Sequence, residues 1–361
     1  MNEYPRILAL ASALPPATHR QDEILEYALV YLLGRDWSER AETLARAKQI
    51  ERLFHASRVE RRQIAVEIET FYDRIRSTGE RMAAYQPLAA ALGMKALGAA
   101  LGQGAGVGAA DISDLVTVSC TGYGAPGLDV SVARELGLAR DVRRLAIGHM
   151  GCYGALVGLR QAAALARAQT AARVAVLSVE LTSLHFAASA DQEVLTSFAL
   201  FGDAAAAALI GTDEAGTGPA VVNTYSMADF ESAGQMAWTI GDQGFVMGLS
   251  PRVPVTLRRH VGDAVARLLT PHGLTASDVT HWIIHPGGPS ILQAIQGRLR
   301  LTEDQMRPNW QVLADHGNCS SATVLLILER LLRAGRARPG EWGVMMAFGP
   351  GLTLETILLR F

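Results

Sequence analysis

The sequence predicts an α/β fold made of two successive halves, and three features of the chain support this prediction. Short apolar runs of strand length alternate with longer segments in which apolar residues recur at helical spacing. Three of these runs or loops carry a cysteine, a histidine or an asparagine where they lead into a helical segment. A segment rich in glycine and threonine, residues 211–218, separates two passes of the alternation. We therefore predict an N-terminal half over residues 1–211 and a C-terminal half over residues 212–361.

The composition fits a compact globular protein without a global charge bias. Of the 361 residues, 49% are hydrophobic and 19% are charged, which is far from the composition of disordered chains. The formal net charge of -2 and the pI near 6.5 give no general attraction to nucleic acid or to an anionic membrane. Any anion must therefore be recognised by a local group of residues.

We predict neither a secreted nor a membrane-inserted protein. Cys120, Cys152 and Cys319 lack the spacing of a disulfide framework or a zinc site, and a reducing cytoplasm fits them best. The sequence has no run of about 18 apolar residues, the length that a transmembrane helix needs. The N-terminal apolar run, residues 7–14, is too short for a cleaved signal peptide.

The first part of the chain is predicted to contain two strands and three helices. Residues 7–14 and 115–120 are apolar runs that end at prolines or glycines, which is typical of strands. Residues 21–33 and 39–54 carry apolar residues at helical spacing, which indicates amphipathic helices. Residues 83–101 are rich in alanine and are predicted to form a third helix.

Cys152 is predicted to be a nucleophile at a strand-to-helix turn. Residues 142–147 form a short apolar run, and residues 155–168 carry apolar residues at helical spacing. Unpaired backbone N–H groups and the dipole at a helix start favour a thiolate and so lower a thiol pKa. A lone cysteine is more often a buried structural residue, so this hypothesis depends on the rest of the chain.

Two later segments supply the groups that a cysteine nucleophile needs. One apolar strand ends on His285 and turns through Gly287 into a helix. Asn318 follows a glycine at the start of another helical segment. A thiol, an imidazole and a carboxamide are therefore each presented where a strand or loop enters a helix.

The remaining strands of the N-terminal half are predicted over residues 173–179 and 204–211. Phe201 begins a Phe-Gly-Asp turn into the second of these strands. From its pattern alone, this turn could equally be ordinary core.

The three polar segments resemble the Cys, His and Asn motifs of type III polyketide synthases, the chalcone synthase family. Leu-Phe-Gly-Asp-Ala at residues 200–204 resembles the Leu-Phe-Gly-Asp-Gly segment of that family, and Ala-Phe-Gly-Pro-Gly at residues 347–351 resembles its Gly-Phe-Gly-Pro-Gly loop. The matches run in the family's order from about Arg52 to the C terminus. The resemblance implies a thiolase-type αβαβα layered fold of two similar halves, a homodimer, and malonyl-CoA and a starter acyl-CoA as substrates.

The resemblance also implies roles for individual residues. Cys152, His285 and Asn318 would be catalytic, and Phe201 would be the gate between the coenzyme A tunnel and the cavity. Arg52 aligns with a residue that binds coenzyme A phosphates, and Arg58 is a second candidate. The other residues expected to contact substrate are Cys120, His185, Trp238, Met247, Gly287, Ser320, Gly349 and Pro350.

Several positions depart from the family pattern and bear on the substrate. Ala56 replaces a phosphate-binding lysine, and most arginines of residues 57–62 are interpreted as a solvated helix face. Ala125 replaces a large side chain that reaches into the partner's cavity, and Met247 replaces an aromatic gatekeeper of plant members. Trp238 replaces a small residue, which indicates a narrower or redirected path. By this resemblance, Ala125, Trp238, Met247 and the cavity position Cys120 favour a bacterial type of enzyme over one with a plant chalcone product.

The three catalytic groups suit decarboxylative condensation. Acyl transfer from a thioester needs a thiolate, which an imidazolium at His285 could stabilise. His285 and Asn318 could then donate hydrogen bonds to the enolate oxygen that forms as malonyl-CoA loses carbon dioxide. Loss of carbon dioxide itself generates the carbanion, so we expect no cofactor besides the coenzyme A thioesters, and no metal. Cyclisation would give a pyrone, resorcinol or phloroglucinol, with an alkylpyrone or alkylresorcinol as the leading hypothesis.

Three alternatives stay open at this point. A β-ketoacyl-carrier-protein synthase III shares the fold and the Cys-His-Asn triad but performs one condensation. An acyltransferase without decarboxylation would not need Asn318. A non-catalytic thiolase-fold scaffold would bind acyl-CoA without turning it over.

Overall fold

Within the residues that the structure describes, nine strands form one mixed sheet in the order β11-β12-β13-β8-β1-β7-β6-β4-β5. The structure is a computed structural model, and it describes residues 4–103, 106–169, 171–187, 189, 191–212 and 218–361. The strands of the described chain are β1 (Arg6–Ala13), β2 (Thr18–Arg20), β3 (Arg61–Gln63), β4 (Asp114–Ser119), β5 (Arg143–Gly148), β6 (Val174–Leu181), β7 (Asp203–Gly211), β8 (Ala220–Ala228), β9 (Met236–Gly241), β10 (Gly244–Leu249), β11 (Val279–Ile284), β12 (Trp342–Gly349) and β13 (Thr353–Arg360).

The α-helices of the described residues are α1 (Gln21–Leu33), α2 (Ala41–Ala56), α3 (Ile68–Phe71), α4 (Thr78–Leu101), α5 (Leu128–Glu135), α6 (Gly154–Ala168), α7 (Gln192–Leu200), α8 (Val253–Leu269), α9 (Pro289–Leu299), α10 (Glu303–His316) and α11 (Thr323–Arg333). Short 3-10 helices connect several of them, at Trp37–Glu39, Ala109–Asp111, Gly151–Tyr153, Thr182–His185, Phe230–Gln235, Thr270–His272, Ala276–Asp278 and Ser320–Ala322. In the same residues, no helix combines the length and apolar character needed to cross a membrane.

The two halves of the sheet repeat one pairing pattern. In the first half, β4 pairs in parallel with β5 and β6, and β6, β7 and β1 follow with antiparallel pairing. In the second half, β11 pairs in parallel with β12, and β12, β13 and β8 follow with antiparallel pairing. The halves meet where Arg6 of β1 pairs with Ala220 of β8.

Alternating side chains place helices on both faces of each half. On β12, Met345 and Ala347 pack in one core cluster with α6 and α11, whereas Met346 and Phe348 pack on the other face with α8 and α9. Alternate residues of β7 divide in the same way between the cluster of α6 and α11 and the cluster of α4. The helices α6 and α11 therefore lie between the two parts of the sheet. This is the αβαβα layering that we predicted.

The predicted elements agree with the structure except at some boundaries. The helix predicted over 21–33 is α1, and the strand predicted over 7–14 is β1 shifted by one residue. The alanine-rich helix begins earlier than predicted, because Ser77 and Glu80 form a capping box ahead of it. Residues 213–217 of the predicted boundary lie outside the described residues, so the division of the chain at 211/212 stays a prediction.

Candidate active site

Cys152 lies in the turn that joins β5 to α6, as we predicted from the pattern. The 3-10 helix Gly151–Tyr153 contains it, and α6 begins at the next residue. Gly151 has a φ of +66°, and a Cβ there would lie 2.3 Å from Pro350 Cδ. Glycine is therefore required for the loop containing Pro350 to approach the nucleophile so closely. The thiol itself is buried.

Asn318 is held beside Cys152 by its own backbone and by Ser320. Its N–H donates to the Leu200 carbonyl at 2.8 Å, and its carbonyl accepts from Gly202 N–H at 3.0 Å. Its side-chain oxygen accepts from Ser320 N–H at 2.8 Å. The carboxamide NH₂ is left free of this bond, and Asn318 favours the thiolate form of Cys152.

His285 follows directly on β11 and is buried. Its N–H donates to the Met346 carbonyl of β12 at 2.8 Å, which fixes the strand end. Neither ring nitrogen has a hydrogen-bond partner among the described residues. A Cβ at Gly287 would lie 3.9 Å from His285 Nε2, so the ring is beside the turn into α9. Both nitrogens therefore keep their hydrogen-bonding capacity for a substrate.

Burial disfavours the charged form of each reactive group. It raises the pKa of Cys152 to about 12, although hydrogen bonds from Ser320 and Asn318 oppose the shift. It lowers the pKa of His285 to about 3. The lowering of the thiol pKa that we predicted from the helix start is therefore outweighed by desolvation. At these buried positions, neither the thiolate nor the imidazolium is favoured alone.

Six of the predicted substrate residues surround the thiol. Phe201, Trp238 and Met247 border two small voids of about 20 Å³ each. The void that Cys152 lines is also lined by Cys120, Ser320 and Pro350. The Trp238 indole N–H donates to the Cys120 carbonyl at 2.7 Å, so the indole is fixed in place. Gly349 lies just outside this lining and packs on Tyr153, where a Cβ would come within 2.7 Å of the ring.

His185 shapes the cavity wall through both of its ring nitrogens. Nδ1 accepts from Phe245 N–H at 3.0 Å, so Nε2 carries the proton and donates to the Thr121 carbonyl at 2.6 Å. The ring also stacks on Phe245 with 4.3 Å between centroids. Burial lowers the pKa of His185 to about 4, so the ring is neutral. It has no hydrogen-bonding capacity left for a substrate.

A groove of about 860 Å³ lies on the outer side of Phe201. Leu200 lines this groove, whereas the next residue, Phe201, lines the cavity. Gly287 and Arg58 also line the groove. Arg52 is exposed on α2 and is absent from the residues that line it, so the second candidate, Arg58, is better placed for phosphate than the first.

The buried carboxylate of Glu180, which we did not predict, lies beneath the site. It accepts from Cys120 N–H at 3.1 Å, from the Thr121 hydroxyl at 2.8 Å and from the Ser321 hydroxyl. Burial raises the pKa of Glu180. The sequence does carry a signal, since Glu180 is the one charged residue of β6, in which every other residue except Ser178 is apolar.

Comparisons with known proteins extend over both halves of the chain. Models of the N-terminal and C-terminal domains of chalcone and stilbene synthases match residues 3–214 and 224–361. A curated 1,3,6,8-tetrahydroxynaphthalene synthase of Streptomyces peucetius subsp. caesius is 34% identical over 359 residues, with 98% of this chain and 93% of the relative covered. A 3,5-dihydroxyphenylacetyl-CoA synthase of Streptomyces toyocaensis is 31% identical over 99% of this chain and 90% of its own.

Two solved structures share the whole fold. PKS-I from the brown alga Ectocarpus siliculosus superimposes with a TM-score of 0.92 at 28% identity, covering 100% of this chain and 99% of that one. The C-terminal type III polyketide synthase domain of Steely1 from Dictyostelium has a TM-score of 0.88 at 26% identity, with 99% of both chains covered.

Proposed function

The chain belongs to the chalcone and stilbene synthases, the type III polyketide synthase family, and we propose that Cys152, His285 and Asn318 perform its iterative condensation. Members of this family are acyl-transferring enzymes that use malonyl-CoA and acyl-CoA substrates. The observations that carry the proposal are a carboxamide at Asn318 that stabilises the buried Cys152 thiolate, and a buried His285 imidazole whose two nitrogens have no partner among the described residues.

In the loading step, His285 takes the proton of the Cys152 thiol. The thiolate attacks the starter thioester, the bond between its carbonyl carbon and the coenzyme A sulfur breaks, and the departing thiolate takes up the proton from His285. The result is an acyl group on Cys152 and free coenzyme A.

In the extension step, malonyl-CoA loses carbon dioxide and its bonding electron pair passes into an enolate. His285 and the NH₂ of Asn318 are the available donors for the enolate oxygen, and one such donor contributes about 3 to 4 kcal/mol in other enzymes. The enolate carbon attacks the acyl carbonyl on Cys152, and the carbon–sulfur bond breaks to restore the thiolate. For the next round, the Cys152 thiolate attacks the extended thioester, the bond to the coenzyme A sulfur breaks, and the departing coenzyme A thiolate takes a proton from solvent. We propose that no cofactor beyond the coenzyme A thioesters takes part.

The groove outside Phe201 is proposed to hold the coenzyme A portion of both substrates. Its volume of about 860 Å³ is in the range of sites for large organic ligands. Arg58 offers a guanidinium for a phosphate, in line with the partly retained clamp. The thioester would then pass Phe201 to reach Cys152.

The starter is proposed to be short. Each void beside the site measures about 20 Å³, which is close to the space one water molecule needs. Hydrogen bonds fix Trp238 and His185, so these side chains resist displacement by a longer starter. A long alkyl starter would require this wall to move, and the alkylpyrone or alkylresorcinol product of our leading hypothesis stays a prediction.

The chain is also proposed to act as a homodimer. Strand β5 is the edge of the sheet, and its residues from Arg143 to Ala146 are exposed. Leu145, Met150 and Tyr123 add large exposed apolar side chains near this edge. An open edge with apolar neighbours is suited to pairing with a second copy. A cytoplasmic location likewise remains a prediction.

Turnover of coenzyme A thioesters tests the proposed function. The purified protein is incubated with malonyl-CoA and acyl-CoA starters from two to twelve carbons, and products are identified by mass, with Cys152→Ala as control. We expect cyclised products of several condensations that vanish in the variant. Single-condensation products would instead support a β-ketoacyl synthase, and tight binding without products would support a scaffold.

A further inference from the structure

Arg62 is a fully buried arginine in the middle of β3, although its segment looks like a solvated run of charges. Its side chain has no exposed surface, and its guanidinium carbon lies 5.8 Å from the ring centroids of both Phe54 and Phe186. Arg58 and Arg61 are exposed, as we expected for most arginines of residues 57–62, and Arg62 is the exception. A cation in such surroundings must have an internal reason to be there.

The guanidinium holds the backbone at the end of α7. Its Nη1 donates to the Phe198 carbonyl at 2.7 Å and to the Phe201 carbonyl at 2.6 Å. The last carbonyls of a helix lack intrahelical partners and carry partial negative charge, so a cation is favourable there. Residues of α7 also line the groove of about 860 Å³, and Phe201 directly follows the last residue of this helix.

This backbone is also joined to Asn318. The Leu200 carbonyl accepts from Asn318 N–H, and Gly202 N–H donates to the Asn318 carbonyl, which makes an isolated parallel bridge between Phe201 and Asn318. Arg62 therefore binds the carbonyls of Phe198 and Phe201. These two carbonyls flank that of Leu200, which accepts from Asn318 N–H. A shift of residues 198–202 would move Phe201 and the carboxamide beside Cys152 together.

The guanidinium is not fully satisfied by these contacts. Its Nε and Nη2 atoms have no hydrogen-bond partner among the described residues. Burial lowers the pKa of Arg62 to about 9, against the attraction of Asp203. A buried cation that is incompletely paired is a poor source of stability, which separates its role from that of an ordinary structural contact.

We propose that Arg62 is a positioning residue, which fixes residues 198–202 so that Phe201 closes the cavity and Asn318 stays beside the Cys152 thiol. The role in turnover rests on the proposed function, whereas closure of the cavity does not. A lysine cannot replace the arginine, because its compact ammonium is more strongly hydrated and readily loses its proton when buried.

The first test measures closure without turnover. Alkylation of Cys152 by iodoacetamide is followed by peptide mass spectrometry in wild type, Arg62→Lys and Arg62→Gln. Arg167→Lys is the matched control, because Arg167 also donates to two backbone carbonyls, those of Val221 and Val222, at 3.0 and 3.3 Å. We expect faster alkylation in both Arg62 variants and no change in the control.

The second test asks whether Arg62 acts through Phe201. Products and rates are compared for wild type, Arg62→Lys, Phe201→Ala and the double variant. We expect condensation in Arg62→Lys to fall about 10- to 100-fold, the scale of a small misplacement of reacting groups, with a larger share of prematurely released short products. The effects of the two substitutions on this share should be non-additive.

The outcomes distinguish this proposal from the proposed function. If wild type makes no polyketide but the Arg62 variants expose Cys152, the positioning role stands and the function falls. Additive effects, or Arg62 variants that behave as Arg167→Lys does, overturn the positioning role. So does failure of both Arg62 variants to give a native circular dichroism spectrum, because that would make the residue simply structural.

Discussion

At the scale of single residues, the proposed function requires Cys152 and His285 to form their charges jointly. Burial holds the pKa of a lone thiol at about 12 and that of a lone imidazole at about 3. Transfer of one proton from sulfur to nitrogen creates both charges at once, and their attraction offsets part of the desolvation. Under the proposed function, the imidazole therefore makes the nucleophile and also binds the enolate.

Replacing His285 with alanine should return the thiol to the high pKa that burial imposes. Since a raised pKa means that the thiol is neutral at pH 7, alkylation of Cys152 in His285→Ala should climb with pH by about tenfold per unit toward pH 10. Wild type should instead reach a plateau near neutral pH. The measurement is the iodoacetamide rate at Cys152 from pH 6 to pH 10.

His185→Gln is the control for this experiment, because His185 is buried beside the same cavity but uses both ring nitrogens in the wall. Its pH profile should follow wild type. Identical profiles in wild type and His285→Ala would show that the imidazole does not accept the thiol proton.

The sequence identifies the reactive residues better than those that support them. Cys152, His285 and Asn318 stand at glycine-bounded turns into helices, a local pattern that is visible without a fold. Arg62 and Glu180 carry no such pattern. Each is buried by segments distant in sequence, through contacts that span 139 and 141 residues, respectively. Burial of this kind depends on tertiary packing, which a local charge pattern does not report.

At the scale of elements, the hairpin of β9 and β10 sets the size of the cavity. Trp238 on β9 pairs with Met247 on β10, and both side chains border the voids. The hairpin forms its own two-stranded sheet, separate from the central one. The wall can therefore be altered without changing the elements that position Cys152, His285 and Asn318.

Replacing Trp238 with alanine should admit longer starters. We expect kcat/KM for a hexanoyl-CoA starter to rise about 10-fold or more relative to acetyl-CoA, since each accommodated methylene contributes on that scale. The comparison uses steady-state rates for a series of acyl-CoA lengths. Ile240→Ala is the control, because Ile240 lies on the same strand with its side chain exposed.

An unchanged starter preference in Trp238→Ala would mean that the indole does not limit the cavity.

The hairpin itself was not predicted from the sequence, because its two strands are short and only partly apolar on each face. By contrast, α1 was predicted with its observed bounds because its apolar spacing is regular and a glycine follows it.

At the scale of the whole molecule, the site draws on both halves of the fold. Cys152 precedes α6 of the first half, whereas His285 and Asn318 follow elements of the second. The exposed β5 edge offers a surface for pairing two copies at the far end of the sheet. A charged side chain in the middle of an edge strand opposes such pairing.

Leu145→Lys should convert a dimer to a monomer. Light scattering after size exclusion should give a mass near 38.6 kDa for this variant and twice that value for wild type. Val255→Lys serves as the control, since Val255 is an exposed apolar residue on α8, outside β5. A Leu145→Lys protein that keeps the mass of wild type would place any interface elsewhere.

The position of α6 and α11 between the two parts of the sheet has a consequence for how this enzyme can evolve. Tightly packed residues tolerate few changes of volume, so the layer that carries the nucleophile is constrained. The hairpin of β9 and β10 has several partly exposed residues, so it tolerates changes of side-chain volume more readily. Substitutions that change the length of the polyketide or its ring closure can therefore accumulate in the hairpin. The residues packed around Cys152 can stay the same while the product changes.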